Sequence, residues 1–279
     1  MKKYILLFGL FPFLNVNAQI KQPALSPTQT LVQEFGLSKL ELTYSRPNVK
    51  NRTLFKKESE LAPFGMVWRT GANSATKLKV NDPITIAGKA VDTGSYAIYT
   101  IPGKKMWTVI INADSKKWGT QYNQKDDVFR AELPVTKTKE FTETFTMQFA
   151  NITAETCNLQ LMWGNTVLNI PFTTNVRDRI RAQVEKAISA DNVSAGTYQQ
   201  AANFYYELDK DYNKALTNIS KAVGDGTDKF WFYLLKAKIE KALGDKVAAK
   251  QSAEKCKKLA TEQKNDDYVR FATLLIASL

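Results

Sequence analysis

The chain has no histidine among its 279 residues. That absence removes Ser-His-Asp and Cys-His catalysis in their usual forms, and imidazole metal ligands with them. It also removes the side chain that most often moves protons near neutral pH. Cysteine is scarce, with two in the whole chain, Cys157 and Cys256. Cys157 alternates with Leu159, Leu161 and Trp163, and Cys256 falls on a small-residue helical stripe. Both therefore read as small buried hydrophobes, with an inter-domain disulfide as the alternative. No phosphate-cradling glycine loop, nucleophile elbow or zinc spacing occurs, so no cofactor and no metal is expected. The net charge is +12. It is spread over both halves without a concentrated basic run, which argues against a nucleic-acid partner.

Beyond residue 14, apolar runs of membrane length are also missing. The short run Tyr4 to Leu14 follows Lys2 and Lys3 and precedes Val16-Asn17-Ala18. That is the pattern of an export signal cleaved after Ala18, not of a lasting membrane helix. Residue 19 is Gln, so no lipoprotein anchor is expected. The sequence thus predicts a signal peptide over 1–18 and an exported protein, periplasmic or secreted, with no transmembrane segment after cleavage.

What is present divides the remaining chain in two. From 19 to 174, short alternating segments such as Leu40, Leu42 and Tyr44 follow one another without helices between. Turn residues separate them, which predicts an antiparallel β-sandwich of jelly-roll type. Gly164-Asn165 reads as a tight hairpin between the last two strands. From 175 to 279 the period changes: Val176, Ile180, Val184 and Ile188 recur at helical spacing. Residues 199–228 and 233–262 align at an offset of 34 (233 − 199), matching Asp211 with Asp245 and Ala222 with Cys256. That is the tetratricopeptide period, so a tetratricopeptide-like helical domain is expected, with an irregular bundle as the alternative. Such a domain would hold a protein or peptide partner.

One stretch follows neither period. Tyr44 to Thr76 gathers Arg46, Arg52 and Arg69 with Tyr44, Phe55, Phe64, Trp68 and Asn73. Guanidinium groups recognise carboxylate, sulfate or phosphate through paired donors, and they stack on aromatic rings. Downstream, Trp118, Tyr122 and Arg130 lie in or beside another segment without periodicity. These nine residues (Tyr44, Arg46, Arg52, Trp68, Arg69, Asn73, Trp118, Tyr122 and Arg130) are the candidate site for a small anionic or glycan-like ligand. The competing reading has Arg46 and Arg69 paired internally with Asp126, Asp127 or Glu132. An alternative is a histidine-free carbohydrate hydrolase using two of those carboxylates. A structural envelope protein is a third reading, and no catalytic residue is assigned.

The motifs YSRPNVKNRTLF, LAPFGMVWRTGANSAT, GSYAIYTIPGKKMWTVIIN, WG and DDVFRAEL occur in this order. Over about residues 25–172 the chain resembles the exported bacterial family known as domain of unknown function 2911, common in Bacteroidetes. The resemblance marks Ser45, Pro47, Gly71, Ala72, Thr76, Asn112 and Gly119 as family residues, alongside the arginines and aromatics above. One departure is Ser74-Ala75, where the family usually has an acidic residue before the alanine. The resemblance implies export and a β domain with an appended helical region in some members; it implies no activity.

Overall fold

The structure is a computed structural model that describes residues 22–116, 118 and 121–279. The expected signal peptide and Gly119 lie outside the described residues. Nine strands come first: β1 (Thr28–Phe35), β2 (Ser38–Ser45), β3 (Thr76–Val80), β4 (Ile84–Ile86) and β5 (Lys89–Val91), then β6 (Gly94–Ile101), β7 (Met106–Asn112), β8 (Asp127–Ala150) and β9 (Thr156–Thr173). Six helices follow: α1 (Arg177–Ile188), α2 (Ala195–Phe204), α3 (Tyr212–Val223), α4 (Phe230–Ala242), α5 (Lys246–Glu262) and α6 (Asp266–Ala277).

The strands run antiparallel in the order β1-β2-β3-β6-β7-β8-β9-β4-β5. The expected α+β class, an antiparallel sandwich followed by helices, is what forms. One strand makes the sandwich continuous. The first part of β8 pairs with β7 from Asp127 to Pro134, and the rest pairs with β9 from Val135 onward. Alternation fills the space between the layers with Leu40, Leu42 and Tyr44 from β2, Trp107, Val109 and Ile111 from β7, and Leu159, Leu161 and Trp163 from β9. Tyr44 rivets the layers: its hydroxyl donates to Gln29 Oε1 (2.8 Å) and accepts the Met147 N–H of β8 (2.9 Å).

The expected hairpin at Gly164-Asn165 is corrected: β9 runs straight through it. Before it, the buried residues are odd-numbered (157, 159, 161, 163); after it they are even-numbered (166, 168, 170, 172). The change of parity marks a bulge in the pairing with β8, between Lys137–Thr166 and Thr142–Gly164, with Gly164 in the left-handed region at φ 55°. Asn165 collects the carbonyls of Thr138, Lys139 and Glu140 with its side-chain amide. Where Gly sits inside a strand pattern, a bulge competes with a turn, and the flanking strands here are too well paired elsewhere to part.

In the helical region the aligned positions are equivalent. Asp211 caps α3 through the Lys214 N–H (3.0 Å), and Asp245 caps α5 through the Ala248 N–H (2.9 Å). Ala222 and Cys256 are both buried. Both cysteines are free, and burial pushes each thiol up to about 11. A π-helical turn, Tyr205–Asp209, ends α2 and was not visible in the spacing. Among the described residues, no helix is long and apolar enough to cross a membrane.

Candidate functional site

The segment between β2 and β3 has almost no regular structure and folds over one end of the sandwich. Its aromatic residues anchor it. Trp68 stacks on Trp163 with centroids 5.4 Å apart and planes at 15°, and it meets Phe55, Trp107 and Phe145 edge-on. The Trp68 N–H and C=O pair with Thr100 of β6 at 2.7 and 2.9 Å. Strain concentrates here. Of the eleven non-glycine residues at positive φ among the described residues, six lie in this segment: Lys50, Asn51, Phe55, Ala62, Thr70 and Asn73. Thr70 is β-branched and fully buried at φ 53°, a conformation that persists only when its surroundings enforce it. Its hydroxyl bonds Thr100 and its carbonyl accepts the Thr76 hydroxyl.

Above this anchored loop lies an open groove of about 870 Å³. Arg52, Trp68, Arg69, Asn73 and Tyr122 line it, together with Glu60, Pro63, Met66, Val67 and Trp163. Five of the nine sequence candidates therefore converge. The other four are placed differently. Tyr44 is in the core between the layers. Arg46 lies against β8, donating to the Phe145 carbonyl (3.2 Å) and to Thr146 Oγ1 (2.8 Å). Arg130 stands beside Tyr122. Trp118 is 54% exposed and makes an isolated antiparallel bridge to Ser74, next to Asn73 at the groove's rim.

The charges decide what the groove can hold. Arg52 spends two of its five N–H donors on the Val49 and Asn48 carbonyls (3.1 and 2.7 Å), and Arg69 spends one on the Asn73 carbonyl (2.9 Å). Neither meets a carboxylate within 4 Å among the described residues. The carboxylate pairing foreseen for Arg46 and Arg69 belongs instead to Arg130. Its Nε donates to Asp127 Oδ2 (2.9 Å) while Asn112 donates to Oδ1 (2.8 Å). The Tyr122 hydroxyl donates to Asp127 (2.6 Å) and accepts from Arg130. Burial, then the hydrogen bond to Asp127, pushes the Tyr122 phenol up to about 12. Asp127 thus fixes one wall of the groove rather than facing it.

Asp126, Asp127 and Glu132 do not line the groove; Glu60 is the carboxylate that does. Its Oε2 accepts the Thr53 N–H at 3.1 Å. Sequence reasoning passed over Glu60 and Trp163. Trp163 reads as core by its alternation with Leu161, and only the loop fold brings its edge to the groove. A smaller cleft of about 330 Å³ between α4 and α6 is lined by Leu234, Phe271 and Leu274 with Lys238 and Ser278 at its margin.

Residues 26–172 match the model of the family described as Protein of unknown function (DUF2911). The chain belongs to that family. The match spans all nine strands up to the last residues of β9, and it includes every groove-lining residue named above. The helices lie beyond it. No curated protein and no solved structure matches the chain. The family's description assigns no activity, so its chemistry rests on the groove itself.

Proposed function

We propose that this protein is an exported, non-catalytic binding module whose groove takes a small anionic, sugar-like ligand. The observation that carries the reading is the state of Arg52 and Arg69. Both line a groove of ligand size, and among the described residues both keep most of their donors free and neither has a carboxylate partner. A guanidinium left this way is suited to an oxyanion from outside. Tyr122 in the lining and the exposed Trp118 beside Asn73 offer flat apolar faces for a sugar ring. The hydrolase reading has no such support, because it needs two carboxylates facing across a cleft at about 5–10 Å. Among the described residues the groove is lined by one, Glu60.

Binding is tested by titrating the protein with glucuronate and following tryptophan fluorescence, since Trp68 and Trp163 lie at the groove. We expect saturable quenching. Arg69→Ala should weaken it about tenfold or more, the value of one charge-assisted hydrogen bond. The melting temperature should stay unchanged, because among the described residues the Arg69 side chain makes one hydrogen bond, to Asn73. No quenching by any acidic sugar would defeat the reading.

Export is the second part of the proposal. It rests on Lys2, Lys3, the Tyr4 to Leu14 run and Val16-Asn17-Ala18. The mature protein recovered from cells is expected to begin at Gln19 by N-terminal sequencing; a start at Met1 in the soluble cytoplasm would refute it.

A further inference from the structure

The backbone of the Thr70–Asn73 turn has a property that side chains alone do not show. Three of its four carbonyls are held by protein donors. The Thr70 carbonyl accepts the Thr76 hydroxyl, the Gly71 carbonyl accepts Trp68 Nε1 (3.0 Å), and the Asn73 carbonyl accepts Arg69 Nη1 (2.9 Å). The described peptide bonds are trans, so the Gly71 and Ala72 amides point away from the donors that hold the Thr70 and Gly71 carbonyls. The amides of Gly71, Ala72 and Asn73 have no acceptor among the described residues, and all three residues line the groove. Gly71 is at φ 149° and Asn73 at φ 59°, with Ala72 between them outside the positive-φ region. Successive unpartnered N–H groups of a turn make an anion-binding concavity where they converge on one point.

We infer that the Gly71-Ala72-Asn73 amides, with the Arg69 guanidinium lying across the same turn, form the oxyanion receptor of the groove, and that its ligand is a monoanionic sugar acid. The inference rests on the groove being a ligand site, as proposed above. Charge selects the monoanion. Arg52 and Arg69 contribute two positive charges to the lining and Glu60 one negative. The net of one positive charge (2 − 1) matches a uronate carboxylate or a sulfate ester. A phosphate monoester carries a second charge that meets Glu60 without compensation. Packing against β2 fixes Gly71 in this turn. A Cβ there would sit 2.9 Å from the Ser45 carbonyl, so the turn closes onto β2 only with glycine.

The test uses four probes on the whole protein: glucuronate, glucose 6-sulfate, glucose 6-phosphate and methyl glucoside. Glucuronate and the sulfate ester should bind most tightly, and the comparison between them tells which oxyanion is preferred. Ala72→Pro deletes one amide donor at a position without positive φ. It should weaken both monoanions about tenfold and leave the weak affinity for methyl glucoside as it was. If Ala72→Pro does not fold, the wild-type amide proton resonances of Gly71, Ala72 and Asn73 serve instead. They should move together on adding glucuronate, ahead of other amides. If Arg69→Ala abolishes binding while Ala72→Pro and those amides are indifferent, the receptor is wrong and the groove reading stands. If glucose 6-phosphate binds most tightly, the monoanion assignment is wrong. If none of the acidic probes binds, both readings fall.

Discussion

Trp163→Ala is expected to lower the unfolding free energy by about 3–5 kcal/mol, the range for emptying a large aromatic site in a packed core. The side chain is 2% exposed. It stacks on Trp68 and meets Phe55 and Phe145 edge-on at 5.9 and 5.5 Å, so its loss removes partners from three rings at once. Its N–H also donates to the Glu143 carbonyl at 3.2 Å. Neighbouring rings anchored to β6, β7 and β8 cannot collapse far into the gap, which places the cost high in that range. Trp163→Phe should cost much less, because it keeps a ring in the stack. Denaturant unfolding of the three proteins measures this; a loss under about 1 kcal/mol for the alanine variant would mean that the loop is anchored elsewhere. The same variant should weaken ligand binding, because Trp68 holds the Gly71 carbonyl and loses its stacking partner.

Asp127→Ala is the second large effect. It leaves Asn112, Tyr122 and Arg130 without the acceptor they share. Stranding donors costs more than the pair contributes. The Asp127 side chain is 8% exposed but Arg130 is 33% exposed, so water compensates part of the loss. We expect about 2–4 kcal/mol, below the range for a fully buried pair. Tyrosinate absorbance gives an independent reading. The Tyr122 phenol stands at about 12 against an ordinary 10.0, first through burial and then through Asp127. A raised phenol contributes stability that is complete below pH 10 and is lost as the pH rises through about 12. Without Asp127, burial alone raises the phenol and Arg130 lowers it, so Tyr122 should titrate closer to 10. An unchanged alkaline titration would show that Asp127 does not hold this wall.

Much of the fold was legible because burial on one face writes a period into the chain. Leu40, Leu42 and Tyr44 declare β2, and Val176, Ile180, Val184 and Ile188 declare the change to helices. Gly164 was misread because a glycine between alternating segments serves a hairpin or a bulge equally well. The parity of the buried residues on either side distinguishes the two, and Thr166, Leu168 and Ile170 had already switched it. The site was legible as a segment, since Arg52, Trp68, Arg69 and Asn73 stand close in sequence. Its geometry was not. Nothing local separates Arg46, which lies along β8, from Arg69, which faces the groove. Nor does sequence reveal which carbonyls of a turn are already satisfied, and the receptor is made of backbone.

The long path of β8 through both layers has a consequence for how the chain tolerates changes in length. With unbroken pairing, a strand shared by two layers could not slip in one without dragging the other, and a shift of one residue would turn Phe145 and Met147 outward. The corner at Thr138–Glu140, where the pairing with β9 already skips residues 138–141 and Asn165 gathers the spare carbonyls, takes up that slack. The corner behaves as an expansion joint, which lets the groove wall at Asp127 and the aromatic floor at Phe145 keep their registers independently.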